Sequence, residues 1–246
     1  FEKWNQAELQ SYLVSITSKV LQQTDNKTGN DMVDMILNQA SYKGTGNWML
    51  EDAINLGAPI SVISEAVFAR FMSDQVLRNG EKNPTSIANS AELINDLRHA
   101  LYLTQAVSYA QGFRQLRLAS DAYDWNLYYS SIARIWEAGC IIRSSMLINI
   151  RQAFDQDAQI QNLFQASFFQ QLLKDDLPSL RRVVQVAANA GIPVPAMSAA
   201  LNYLLSIFNE NLPANLLQAQ RDYFGAHTYQ RIDKPGIYHT EWYSEA

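Results

Sequence analysis

The residues best suited to chemistry begin at Tyr42-Lys43-Gly44-Thr45-Gly46-Asn47-Trp48. Two glycines flank a threonine, so the backbone can take positive φ there and turn its amide N–H groups inward, a geometry that cradles anions. A lysine stands just before the turn, and an apolar helical pattern (Trp48, Met49, Ala53, Ile54, Leu56) starts just after it. The positive end of a helix would then back the same turn and favour a bound phosphate. On its own, though, Gly-Thr-Gly is more often a plain loop with an N-cap.

Arg70 bears on that choice. Over 59–77 the residues Ile60, Ile63, Val67 and Phe71 fall at helical spacing. Arg70 follows Val67 by three positions and Ala66 by four, which predicts a side chain at or beside the buried stripe. A guanidinium there needs a partner, because an unpaired buried charge is costly. Two partners are open to it. One is Asp74, a turn further on, in a surface pair worth little. The other is a phosphate, which the planar fork of arginine grips in bidentate fashion. Far along the chain, Arg221 beside Asp222 reads by itself as a helix-end arginine next to its counter-ion, and His227 as a loop histidine. His99 reads as a solvated or core-edge histidine. Cys140, in an apolar neighbourhood without a cation near it in sequence, reads as a small buried hydrophobe and not as a nucleophile.

The elements that must position these residues are helical. Glycine and proline are sparse and clustered, which favours long helices over many short strands. Leu9, Leu13, Ile16 and Val20 mark a first helix, and 32–40 predicts a second, shorter one leading into the Lys43 turn. A polar connection at 78–85 precedes a long helix carrying Leu93, Leu97, Leu101 and Val107. The segment 121–150 is thickly hydrophobic and reads as central to the core. Later helices hold Arg181, Arg182 and Val183, and then 197–208. Helical periodicity stops after Gly225, where a Pro-Gly turn and several aromatics begin an extended tail. A tail of that composition needs a surface to dock on.

Composition narrows the function. Hydrophobic residues make up 48% of the 246-residue chain and charged residues 17%, as in a globular protein. The net charge of −5, with no basic run, argues against a nucleic-acid partner. An anionic substrate would have to be captured by a local cluster of cations. The one cysteine excludes an intrachain disulfide framework and fits a reducing, cytoplasmic compartment. No stretch approaches the roughly 18 uninterrupted apolar residues of a membrane span. The chain opens on Phe1 without a charged-then-apolar leader, so it is expected to continue from a longer polypeptide or to be trimmed.

Lys43-Gly44-Thr45-Gly46 with Trp48, followed by Ser64-Glu65-Ala66-Val67-Phe68-Ala69-Arg70, resembles the substrate-binding segment of the 6-phosphogluconate dehydrogenases. Gly139-Cys140-Ile141-Ile142-Arg143-Ser144 is similar to a second stretch of that family. A third is Gln218-Ala219-Gln220-Arg221-Asp222-Tyr223-Phe224-Gly225-Ala226-His227-Thr228-Tyr229, ending in His239-Thr240-Glu241-Trp242. The resemblance runs along essentially the whole chain. It departs at Asn47, where the family usually has Lys, and at Glu137, where it usually has Arg.

The resemblance implies an all-α, multi-helix C-terminal dehydrogenase domain over 1–224, for substrate binding and dimerisation. It implies an extended tail over 225–246 that docks on the partner subunit of a homodimer. A nucleotide-binding domain would precede it, since neither G-x-G-x-x-G nor G-x-x-x-x-G-K-[ST] occurs here. The implied reaction, in the pentose phosphate pathway and gluconate utilization, is metal-free oxidative decarboxylation of 6-phosphogluconate to ribulose 5-phosphate and CO2, with NADP as acceptor. Lys43, Thr45 and Arg70 match the family's phosphate-side contacts. Arg221 and His227 match residues supplied from the partner's tail. The family's catalytic lysine and glutamate lie upstream, so no catalytic residue is expected in this chain, and the fragment alone is expected to be inactive. NAD in place of NADP stays open, because the residues that read the 2′-phosphate belong to the other domain. The alternative is a non-catalytic phosphosugar-binding or helical scaffold module.

Overall fold

Long stretches without glycine or proline fold as helices. A computed structural model of the protein describes residues 1–41, 44–75, 87 and 90–242. Among these residues the structure is helical and no sheet forms, as the patterning predicts. In chain order the helices are α1 (Glu2–Asn5), α2 (Tyr12–Leu21), α3 (Thr45–Leu56), α4 (Ser61–Ser73), α5 (Ala91–Ala122), α6 (Tyr129–Trp136), α7 (Met146–Gln156), α8 (Ser167–Asn189), α9 (Pro195–Ile207) and α10 (Ala214–Gly225). Serine caps open two of them. Ser11 Oγ accepts from the N–H of Val14, and Ser90 Oγ from that of Leu93, each cap contributing about 1 kcal/mol. The chain divides into two compact units, Phe1–Tyr203 and Leu204–Ala246, so α10 groups with the tail.

The first unit is built on α5, whose 32 residues span about 48 Å. Ala100, Leu103, Val107 and Ala110 recur at helical spacing and are buried. Beyond them Phe113 stacks on Trp136 of α6 and Phe154 of α7, at ring-centroid distances of 5.3 and 5.1 Å. Fully burying one such side chain stabilises the fold by about 1.5–3 kcal/mol. Helix α8 lies along α5 and is locked to it by charge. Arg182 donates to both oxygens of buried Asp96 (2.7 and 2.5 Å), and Ser179 Oγ adds a third bond of 2.8 Å. The Arg182 fork holds the Asp96 carboxyl below the usual carboxylate range, against the opposing effect of burial. One turn away His99 Nδ1 meets Asp176 Oδ1 at 2.7 Å, so His99 belongs to a helix–helix contact. Burial pushes the Asp176 carboxyl up, and its bond to His99 offsets part of that.

Three expectations are corrected. The stretch 32–40 is one short 3-10 turn, Met32–Met35, followed by irregular chain, because its apolar residues find no buried face. The segment 121–150 is not one thick core element. Glu137 to Ser145 form a turn between α6 and α7, and Trp125, Ile135 and Ile141 are exposed. Cys140 is only half-buried, its Sγ donating to the carbonyl of Trp136. The connection at 78–85 lies outside the described residues.

Candidate functional site

Helix α3 begins inside the glycine-flanked turn rather than after it. Gly44 is its N-cap, in the left-handed conformation with φ 92°, and Thr45 is the first helical residue, exposed. No side chain caps this end, so its first N–H groups are left for another acceptor. Gly46 has a different role from the one its sequence suggested. It sits inside the helix, where an added Cβ would stand 2.8 Å from Val67 Cγ2 of α4. Its missing side chain lets the start of α3 close onto α4, three residues before Arg70.

Arg70 lies in the last turn of α4. It is exposed, not beside a buried stripe, because only Val62 and Val67 of that helix are buried. It forms no ion pair with Asp74 or any other described residue. Its carbonyl accepts from Ser73 Oγ (2.6 Å), and that oxygen accepts in turn from the N–H of Ala40 (3.0 Å). Both flanks of the turn, Ala40 before and Gly46 after, are therefore tied to the C-terminal half of α4. Lys43 and Tyr42 lie outside the described residues.

Two glutamines one turn apart on α5 fix these helices from behind. Buried Gln111 accepts from the N–H of Val62 and donates to Ser61 Oγ, both at 3.0 Å, which caps α4. Gln115 donates to the carbonyl of Met49 (3.0 Å) and to Asp52 Oδ2 (2.7 Å), which holds α3. Neither was singled out from the sequence. The available signal was a pair of amides at i and i+4 amid buried apolar positions, where a polar side chain must find partners.

The second unit carries Arg221 and His227. Arg221 does not pair with its neighbour Asp222. Asp222 is fully buried, and its two oxygens accept from the tail instead: Thr228 N–H at 2.9 Å, His239 Nδ1 at 2.9 Å, Thr240 N–H at 3.1 Å and Trp242 Nε1 at 2.8 Å. Arg221 is left exposed, with a long bond of 3.4 Å to Gln218 Oε1. The His227 ring packs on the Gly225 backbone, where a Cβ would meet Nε2 at 2.7 Å, and edge-on to Phe224. Within this unit the tail folds back on α10, yet Ile232 and Ile237 remain exposed.

The Gly139–Ser144 motif is pinned at its end. Tyr109 donates to the carbonyl of Ile142 and meets Ser144 Oγ at 3.0 Å, and Tyr12 N–H donates to the carbonyl of Arg143 at 3.1 Å. Ile141, Ile142 and Arg143 wall an open, mostly apolar cavity of about 740 Å3 against α5. Glu137 is matched by Arg151, whose Nε donates to it at 2.7 Å, so the reversed charge has its own partner. Among the described residues no group of three or more His, Cys, Asp or Glu has metal-site geometry, and no helix is long and apolar enough to cross a membrane.

Comparison with known proteins decides the family. The model of the 6-phosphogluconate dehydrogenase C-terminal domain matches residues 1–242. The chain belongs to the 6-phosphogluconate dehydrogenase family. A decarboxylating 6-phosphogluconate dehydrogenase of Lactococcus lactis subsp. lactis is 48% identical over 100% of this chain and 53% of its own length. The enzyme of Escherichia coli K12 is 49% identical over 98% of the chain and 53% of its length. An NADP(+)-dependent, decarboxylating relative from Bacillus subtilis is 45% identical with the same coverage. The structure of Plasmodium falciparum 6-phosphogluconate dehydrogenase, described in apo form and with NADP+ and 6-phosphogluconate, superposes with a TM-score of 0.92 at 41% identity. That match covers 98% of this chain and 54% of the solved one. The chain thus spans about half the length of the 6-phosphogluconate dehydrogenases it matches.

Proposed function

We propose that this chain is the substrate-binding and dimerisation part of an NADP-dependent, decarboxylating 6-phosphogluconate dehydrogenase. The full-length enzyme converts 6-phosphogluconate to ribulose 5-phosphate and CO2 in the cytoplasm. The observation that carries the reading is a pair of exposed arginines, Arg70 and Arg221, each without a carboxylate partner among the described residues. A phosphate dianion supplies the missing charge, and arginine forks suit it. Thr45 Oγ1 and the uncapped start of α3 add donors on the Arg70 side. Lys43, next to that turn, adds a cation, and the His227 ring offers donor or acceptor nitrogens to the sugar hydroxyls.

The body of the chain, 1–224, forms one wall of the site. The tail, 225–246, docks on the second subunit of a homodimer and carries His227 to it, together with Arg221 from the end of α10 just before the tail. Exposed Ile232 and Ile237 in the tail, and exposed Trp48 and Ile54 on α3, support a partner that covers them. NADP belongs to the remainder of the full-length enzyme. The described residues form no strand, so the strand–turn–helix that binds a dinucleotide is not among them. The catalytic lysine and glutamate belong there too.

The deciding experiment is 6-phosphogluconate-dependent reduction of NADP, with NAD in parallel, by the full-length enzyme. Reduction with release of ribulose 5-phosphate is the expected result, and the rate ratio gives the cofactor preference. A folded protein that binds the phosphosugar and reduces neither cofactor would instead be a phosphosugar-binding module.

A further inference from the structure

Asp222 is a fully buried carboxylate between two exposed residues assigned to the substrate, Arg221 and His227. The turn that carries His227 is an expensive one. Ala226 (φ 49°) and Thr228 (φ 62°) both adopt the left-handed conformation although neither is glycine, and such residues persist only where their surroundings enforce them. Here the enforcement is visible. The N–H of Ala226 donates to the Asp222 carbonyl (2.9 Å), and the N–H of Thr228 to Asp222 Oδ1 (2.9 Å). The Thr228 carbonyl accepts from Gln218 Nε2 (2.6 Å), and the other end of that amide, Oε1, meets Arg221 at 3.4 Å. One residue therefore anchors the turn on one side while the Gln218 amide links it to the arginine on the other. The outer end of the tail closes on the same carboxylate through His239, Thr240 and Trp242.

We propose that Asp222 is a positioning residue for substrate capture. It holds the 226–228 turn and the tail end so that Arg221 and His227 are presented together to one phosphosugar. The inference rests on the reading above that these two residues touch 6-phosphogluconate. A carboxylate is needed because four donors converge on two oxygens. An amide keeps the shape but turns an NH2 group toward a backbone N–H, that of Thr228 or that of Thr240, whichever way it is placed.

The test is steady-state kinetics of the full-length enzyme with Asp222→Asn. The KM for 6-phosphogluconate should rise about ten-fold or more, with kcat within about three-fold and the KM for NADP unchanged, the pattern of lost binding rather than lost chemistry. Adding Asp222→Asn to an Arg221→Ala/His227→Ala enzyme should raise KM no further, since the residues it acts through are gone. Trp242→Phe removes one donor and keeps an aromatic ring there, and should give a smaller rise in the same direction even if the amide variant does not fold. An unchanged KM in Asp222→Asn, beside a raised one in Arg221→Ala/His227→Ala, overturns the positioning role alone. A fall in kcat that matches the rise in KM, or a parallel change for NADP, makes Asp222 a fold determinant and overturns it as well. A wild-type KM in Arg221→Ala/His227→Ala removes the underlying site reading, and the inference with it.

Discussion

An exposed arginine with a free fork is cheap to keep in water and strong only when an oxyanion meets it. That contrast makes Arg70 the residue whose loss should be felt most in binding and least in folding. Arg70→Ala is expected to raise the KM for 6-phosphogluconate ten-fold or more, the equivalent of roughly 1.5–3 kcal/mol for a hydrogen bond to a charged group. Arg70→Lys should recover part of that. An unaltered KM would take Arg70 out of the clamp. The sequence pointed to this residue for a reason the fold does not support. Its spacing from Val67 predicted partial burial, whereas it projects into solvent from the last helical turn. His239 offers a second test at this scale. Its bond to Asp222 raises its pKa above the ordinary histidine value of 6.5. Burial would push the Asp222 carboxyl up, but the bonds from His239, Thr240, Trp242 and Thr228 outweigh it and hold its pKa down to about 2. Asp222 thus stays ionised throughout the histidine range. A histidine with a raised folded pKa adds stability that is fully present below its unfolded value and is lost as pH rises through the folded one. Resistance of the tail to limited proteolysis should therefore be greater near about pH 6 than near about pH 8.5, and His239→Gln should flatten the profile. Protection that grows with pH would contradict the pairing.

At the scale of elements, the arrangement depends on how closely α3 approaches α4. Gly46→Ala puts a methyl group 2.8 Å from Val67 Cγ2, so one helix must give way. Overpacking of this kind costs about 1–3 kcal/mol. The variant should lose stability on that order in urea and bind 6-phosphogluconate more weakly, because Thr45 moves away from Arg70. Val67→Ala on the same background opens the space again and should restore binding although it removes core contacts. If binding stays weak in the double variant, the contact does not set the site. Element identity was largely legible. Apolar periodicity marked α2, α4, α5 and α8, and lost periodicity marked the tail. Two things escaped it. The end of α5 is buried on several faces, with Gln111, Gln115, Arg117 and Ser120 among its buried residues, so no clean stripe shows where the helix stops. The glutamine clamps depend on partners about 50 and more residues away in sequence (Val62 for Gln111, Met49 for Gln115), and local spacing carries no information about such pairs.

For the whole molecule, the decisive feature is that the chain folds as two compact units with separate internal support. Phe1–Tyr203 holds the α5-centred core and Arg70, while Leu204–Ala246 is organised by Asp222, which gathers four donors from the tail. Three separated motifs were enough to reach the family from sequence, but not this division, because the helical pattern runs through α9 without a glycine or proline break. The division shapes a truncation experiment. A chain ended after Gly225 would keep Asp222 while deleting Thr228, His239, Thr240 and Trp242, leaving a carboxylate stripped of its donors. A chain ended before Arg221 removes the carboxylate together with the tail and avoids that penalty. The full-length enzyme cut before Arg221 should remain folded, with helical circular dichroism close to that of the intact protein less the deleted turns. It should lose 6-phosphogluconate oxidation and sediment with a weakened dimer, because the lost segment is the one proposed to cross between subunits. Retained activity would show that residues 1–220 and the cofactor domain complete the site without Arg221 and the tail. Lost activity with an unchanged dimer would confine the tail to substrate binding and place the subunit contact elsewhere on the helical body.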